Sequence, residues 1–516
     1  MTIFCRSVAV FSFSVGFGAA LAVNCPAWAA GDAPLPQANS QATPTSAKPP
    51  EKSSLEPFLP AKSVHQFAMI GGKKIEYVLT VGSIPLKDDK GEVTGEVVYT
   101  AYVVPTGAAS TRPVTFSMNG GPGAASAYLN LGALGPKHIN FGRDGTYASD
   151  SPALADNANS WLDFTDLVFI DPIGTGYSRS HLDEEGTLKT FLKPEEDIHY
   201  LGDVIDAWLR LNSRTQSPKY LIGESYGGYR VPRLAQHLQS ELGIGVSGIV
   251  MVSPALDLGG LSRSDALSPI SWMIDLPSMA AAVKERRGET LTAQSMEPVE
   301  TYARTEFVAD FFAGQRNKAA TERMSARVTE YLGLDPALVR RLAGRVPPDV
   351  FLREGRRDEA KIGSFYESNQ LAYDPFPERD RTDYNDPNLG STAAFAEAMI
   401  NVINDQVGWK VNARYYINNY HVAMTFDHSD SGKDLPVTDL RKAVANDPHM
   451  AVLIAHGYND LACPYLLSKL VVAQMPSFGV AERVKVDVFP GGHMFYARPQ
   501  SAAAFKHDAM QAYRVN

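Results

Sequence analysis

Tyr220-Leu221-Ile222-Gly223-Glu224-Ser225-Tyr226-Gly227-Gly228 is the stretch that decides how this chain is read. Three apolar residues make a short buried strand that ends at Gly223. A helical pattern follows over 231–242. Between them a single serine stands in a Gly-x-Ser-x-Gly turn. That pattern alone is common, and its setting gives it meaning. A strand that turns sharply into a helix pushes the turn residue out beyond the sheet. Glycines permit such a turn. The helix behind it offers unpaired N–H groups and the positive end of its dipole to a developing anion. Ser225 therefore reads as a nucleophile rather than as an incidental turn serine.

Outward from this turn the pattern repeats. Lys74–Thr80 and Glu96–Val104 look like strands, with Lys90-Gly91 in the turn region between them. Arg112–Met118, Asp166–Asp171 and Ile249–Ser253 are further apolar strands. Helical periodicity spans 197–211. Strands that alternate with helices predict a mostly parallel central sheet with helices on both faces. From 261 to 440 the chain turns largely helical and polar, with Ala394–Trp409 the clearest helix. The sheet pattern resumes at Met450–Ala455 and Val484–Phe489, followed by a helix near Ser501–Tyr513. The expectation is an α/β core over 65–260 and 441–516, interrupted by an inserted helical cap over 261–440. With the serine turn this is an α/β-hydrolase fold. No internal repeat is seen.

A serine hydroxyl needs a base, and the base an orienting acid. In this fold they follow the serine in the order acid, then histidine. Asp460 lies after strand 450–455, in His456-Gly457-Tyr458-Asn459-Asp460. His493 lies after the strand ending at Phe489, in Pro490-Gly491-Gly492-His493-Met494. Both sit at the C-terminal ends of strands, where such sheets place their sites. His456 is the nearest rival base, but it precedes the acid. Asn119-Gly120-Gly121-Pro122-Gly123 follows the strand ending at Met118 and can aim backbone N–H groups at a substrate oxygen. The second donor would be the N–H of Tyr226, the residue after the nucleophile.

The 516-residue length calls for more than one ordinary core, and a net charge of −9 argues against a nucleic-acid partner. No zinc-type spacing of Cys and His is present, and no metal or cofactor is expected. The apolar stretch Val8–Val23, followed by Ala27-Trp28-Ala29, reads as a signal peptide over 1–29 rather than a membrane-inserted helix. Residues 30–64, rich in Pro, Ser and Ala, read as a disordered linker, with order expected from about His65. Of three cysteines only Cys463 would remain after cleavage, so no internal disulfide is expected. That combination fits a secreted protein of a bacterial periplasm. Oligomeric state is not readable.

Five motifs in order resemble the serine carboxypeptidase family across roughly 65–516. They are Asn-Gly-Gly-Pro-Gly at 119–123, Asp171-Pro-Ile-Gly-Thr-Gly-Tyr-Ser178, Gly-Glu-Ser-Tyr-Gly-Gly at 223–228, Gly457-Tyr-Asn-Asp-Leu-Ala-Cys463 and Gly-His-Met at 492–494. The resemblance implies a triad of Ser225, Asp460 and His493, with Gly121 and Tyr226 as oxyanion donors. It implies that Asn119, Gly120 and Glu224 hold the free C-terminal carboxylate of a peptide. One carboxyl can grip another only with a proton between them, so binding should favour acid pH and fail as Glu224 ionises. Two departures stand out. Ala124 replaces a frequent cysteine, and Ala133-Leu134-Gly135-Pro136 replaces Glu-x-Gly-Pro, removing a neighbour that could share a proton with Glu224. Competing readings are an esterase or acyltransferase on the same scaffold, a proline-releasing aminopeptidase, and a binding protein without catalysis.

Overall fold

The computed structural model describes residues 56–107, 111–139, 154–261, 267–378, 386–429, 436–479 and 483–514. The expected signal peptide and most of the expected linker lie outside them.

A ten-stranded sheet organises these residues. Its main strands are β1 (Lys62–Ile70), β2 (Lys73–Lys87), β3 (Val93–Val103), β4 (Val114–Met118), β5 (Asp166–Ile170), β6 (Lys219–Glu224), β7 (Gly248–Val252), β8 (Ala451–Gly457) and β9 (Val484–Phe489). Their spatial order is β1-β2-β3-β5-β4-β6-β7-β8-β9, with Arg179–Ser180 paired to β3. β1 to β3 run antiparallel, and β3 meets β5 antiparallel. From β5 to β9 every pairing is parallel. The order reverses around β4 and β5, and the sheet is an α/β-hydrolase sheet.

β4 to β7 are buried along their whole length, which requires cover on both faces. Alternate residues point to opposite faces. Leu221, Ile249, Met251, Val452 and Ile454 pack with the helices Pro194–Leu211, Tyr226–Ser240 and Pro436–Asn446. Ile222, Val250, Val252, Leu453 and Ala455 pack on the other face with Trp161, Phe395, Phe505 and Tyr513.

The sheet and its helices agree with the sequence reading; three local details differ. The helix after the nucleophile starts at Tyr226, not Val231. Gly227 is part of its first turn because the helix lies against β4: a Cβ there would stand 2.5 Å from the Met118 carbonyl oxygen. Order also begins before His65. β1 starts at Lys62, and Phe58, inside the expected linker, donates its N–H to Glu96 at 3.0 Å and packs on Trp409. Those contacts hold an apolar residue that composition alone could not distinguish from linker. The helix expected over 394–409 runs α-helically over Ser391–Ile400 and continues as a π-helical turn, Asn401–Gln406.

The inserted region has two characters. Its helices between Ile270 and Glu354 build a separate apolar cluster, including Met273, Met296, Phe307 and Phe351, which Tyr458, Leu461 and Tyr465 after β8 join. The later part is different: Phe395, Met399, Ile403, Trp409 and Ile417 belong to the core of the sheet.

Candidate active site

Ser225 occupies the turn between β6 and the helix Tyr226–Ser240, with φ 61° and ψ −121°. A serine at positive φ is strained by about 1–3 kcal/mol. The turn is held from β7: Ser225 N–H donates to the Val252 carbonyl at 2.9 Å, and Ala255 N–H donates to the Ser225 carbonyl at 3.0 Å. Ser225 lines a cleft of about 230 Å³ that His493, Glu224 and Asn119 also line.

His493 and Asp460 come together from the ends of β9 and β8. His493 Nδ1 lies 2.8 Å from Asp460 Oδ2. Asp460 Oδ1 accepts the N–H groups of Ala462 and Cys463 at 2.8 and 2.9 Å. Burial disfavours a charged His493, but the charge and hydrogen bond of Asp460, with Glu224 beyond, outweigh it and hold the imidazole pKa above its ordinary 6.5. A base oriented at one nitrogen by a buried acid leaves the other for proton transfer. The rival His456 is fully buried, with Nε2 2.8 Å from Ser468 Oγ. Burial, then the charge of His493, drives its pKa down to about 3. Cys463 is buried beside the acid and is not among the cleft-lining residues; burial and then the charge of Asp460 push its thiol pKa well up.

The Gly120-Gly121 turn lies directly on the start of the helix. A Cβ on Gly120 would stand 2.4 Å from Tyr226 N. Tyr226, as the first helical residue, has an N–H that the helix itself does not use. The glycine turn and the start of the helix thus lie against each other beside Ser225.

Glu224 is 4% exposed, and burial pushes its pKa up to about 7 against the opposing pull of His493, Tyr496 and Asn119. Tyr496 donates its hydroxyl to Glu224 Oε2 at 2.5 Å. Asn119 Oδ1 accepts the Leu129 N–H at 3.0 Å, which leaves its amide nitrogen to serve Glu224. No lysine or arginine is among the described residues that line the cleft.

The opposite wall comes from the insertion, and the sequence reading named none of its residues. Tyr416 exchanges N–H···O bonds with Gly176 at 2.8 and 2.9 Å, and Asn419 N–H donates to Gly123 at 2.7 Å. This strap brings Asn418, Asn419 and Tyr420 to the cleft. Tyr366 accepts the His493 N–H on its carbonyl at 2.5 Å, and its ring packs against the imidazole. Neither contact has a local sequence signature. Tyr496 was missed although it lies three residues after His493, because nothing in an aromatic pair Phe495-Tyr496 marks one ring as facing the site.

The fold and these side chains define an α/β-hydrolase with a serine-centred constellation. Residues 91–260 match the family model of the serine carboxypeptidases. Serine carboxypeptidase-like 36 of Arabidopsis thaliana is 28% identical over 167 residues, 32% of this chain and 32% of that protein. A serine carboxypeptidase of Dictyostelium discoideum is 28% identical over 162 residues, 30% of this chain and 36% of its own length. The chain thus aligns with about a third of the length of these relatives. A prohormone-processing carboxypeptidase crystal structure from Saccharomyces cerevisiae superposes over 85% of this chain and 91% of its own, with TM-score 0.54 and 14% identity. That likeness is one of fold. The chain resembles the serine carboxypeptidase family, and the match falls on the segment that carries Asn119, Gly121, Glu224 and Ser225.

Proposed function

We propose that this protein is a serine carboxypeptidase that releases C-terminal amino acids from peptides. Ser225 attacks the last peptide carbonyl while His493 takes its proton, and the N–H groups of Gly121 and Tyr226 hold the oxyanion. His493 then gives that proton to the departing amino group. The acyl-enzyme on Ser225 is hydrolysed by a water that His493 deprotonates, with Asp460 keeping the imidazole oriented. Asn119, Gly120 and a protonated Glu224 grip the terminal carboxylate. No cofactor takes part.

The observation that carries this reading is Glu224: a buried carboxyl, pushed up to about pKa 7, beside the nucleophile in a cleft whose described lining has no lysine or arginine. A hydrolase with no need of a carboxylate has little use for such a group. Secretion is part of the proposal and rests on Val8–Val23 and Ala27-Trp28-Ala29; the bacterial periplasmic destination rests on Cys463 being the one cysteine left after cleavage.

Mass spectrometry of a digested free-acid peptide tests it. The expected product series is stepwise loss of C-terminal residues, absent in Ser225→Ala and absent for the same peptide with a C-terminal amide. Equal attack on acid and amide, or turnover of esters alone, would favour the esterase or acyltransferase reading.

A further inference from the structure

Glu224 has two oxygens, and they are not equivalent. Oε2 accepts the Tyr496 hydroxyl at 2.5 Å. Both residues are buried, Tyr496 at 3% and Glu224 at 4% exposure, so little water competes for that bond. An ordinary phenol stays protonated through the acid and neutral range. It therefore donates to Glu224 in either protonation state of the carboxyl. A carboxyl oxygen that already accepts an O–H is a poor place for a second proton. When Glu224 is neutral, its own proton belongs on Oε1.

We infer that Tyr496 is a positioning residue for Glu224, fixing Oε2 so that the proton which meets a substrate carboxylate is carried on Oε1. The inference rests on the proposed carboxylate-binding role of Glu224. It also accounts for Ala133, since a single buried carboxyl with a phenol partner needs no second carboxyl to order its proton. The neighbourhood is shaped for the ring. Gly132, in the π-helical turn Leu129–Leu134, has no side chain where a Cβ would stand 3.0 Å from Tyr496 Cε2.

The other groups that act on Glu224 come from several elements. His493 and Asp460 face it from the ends of β9 and β8, and Asn119 from the glycine turn. Tyr128 and the Cys463 thiol are also electrostatically coupled to it. Among these Tyr496 and Asn119 are the hydrogen-bonding neighbours that carry no charge in the working range. A donor binds the ionised carboxylate more strongly than the neutral acid. Removal of the hydroxyl should therefore raise the pH at which Glu224 loses its proton.

Calorimetry in buffers of different ionisation enthalpy tests this on Ser225→Ala enzyme, with a free-acid dipeptide and its amide as probes. Above the Glu224 pKa, binding of the free acid should take up one proton. Tyr496→Phe, added to Ser225→Ala, should move the midpoint of that uptake upward by about one pH unit. Gly132→Ala presses on the ring and should move it the same way by less. It also guards against misfolding of the phenylalanine variant. An unchanged midpoint in both variants, with weaker binding at every pH, would mean that Tyr496 only fills space, and would overturn the inference. Equal binding of acid and amide without proton uptake in the Ser225→Ala parent would overturn the carboxylate-binding role itself, a separate failure.

Discussion

Two buried carboxyls flank the nucleophile, and the fold treats them in opposite ways. Asp460, at the end of β8, receives two backbone N–H groups and the His493 ring, all at 2.8–2.9 Å. Glu224, at the end of β6, receives the side-chain donors Tyr496 and Asn119 among the described residues, and burial dominates its titration. Donors fixed in the backbone hold a carboxylate ready to orient a base. A carboxyl with fewer and softer donors keeps its proton to near neutrality and can offer it to an anion. The difference is between an acid whose geometry backbone donors fix and one whose proton burial retains to near pH 7.

The largest break in that comparison is Asp460→Asn. It keeps the shape but lets His493 take the wrong tautomer, and kcat should fall by about ten-thousand-fold, measured on any substrate Ser225 turns over. Glu224→Gln should do something different. The amide is a permanent neutral donor, so KM for a free-acid peptide should lose its rise above pH 7. The variant should then outperform the wild type at pH 8, read from the ratio of their kcat/KM values.

The same substitution tests stability. The folded pKa of Glu224 is raised from 4.5 to about 7, so the folded state holds more protons than the unfolded state between those values. The stability this gives is present in full below about pH 4.5 and is lost as pH rises through about 7. Between pH 4 and 8 the wild type should lose up to about 3 kcal/mol relative to Glu224→Gln, by denaturant titration at each pH. The smallest effect belongs to the histidine outside the pair. Ser468→Ala removes the partner of His456 and should cost about 1–3 kcal/mol of stability while kcat stays near the wild-type value.

What could be read from sequence follows the same division. β6 to β9 and the turns at their ends were legible because a strand's apolar run and a glycine turn are local facts, and Ser225, Asp460 and His493 each follow one. Gly227 and Gly228 looked like a break before the helix, since only the packed structure reveals that β4 and Pro254 press on their faces. The insertion was legible as helical but not as two regions. Phe395 and Trp409 join the sheet's core, whereas Met296 and Phe351 belong to another cluster, a division made by long-range packing. The cleft walls at Tyr366 and Tyr420 depend on backbone bonds to distant turns, such as Tyr366 to His493, which no spacing records.

The most direct measurement is the pH dependence of kcat/KM for one peptide in two forms, free acid and C-terminal amide. Both profiles should rise with pH as His493 loses its proton, from a pKa held above 6.5. Only the free-acid profile should fall again above about pH 7, as Glu224 ionises, so the preference for the free acid should shrink with each further pH unit. Superimposable profiles, with a preference that does not change with pH, would contradict a neutral Glu224 as the group that selects peptide C-termini.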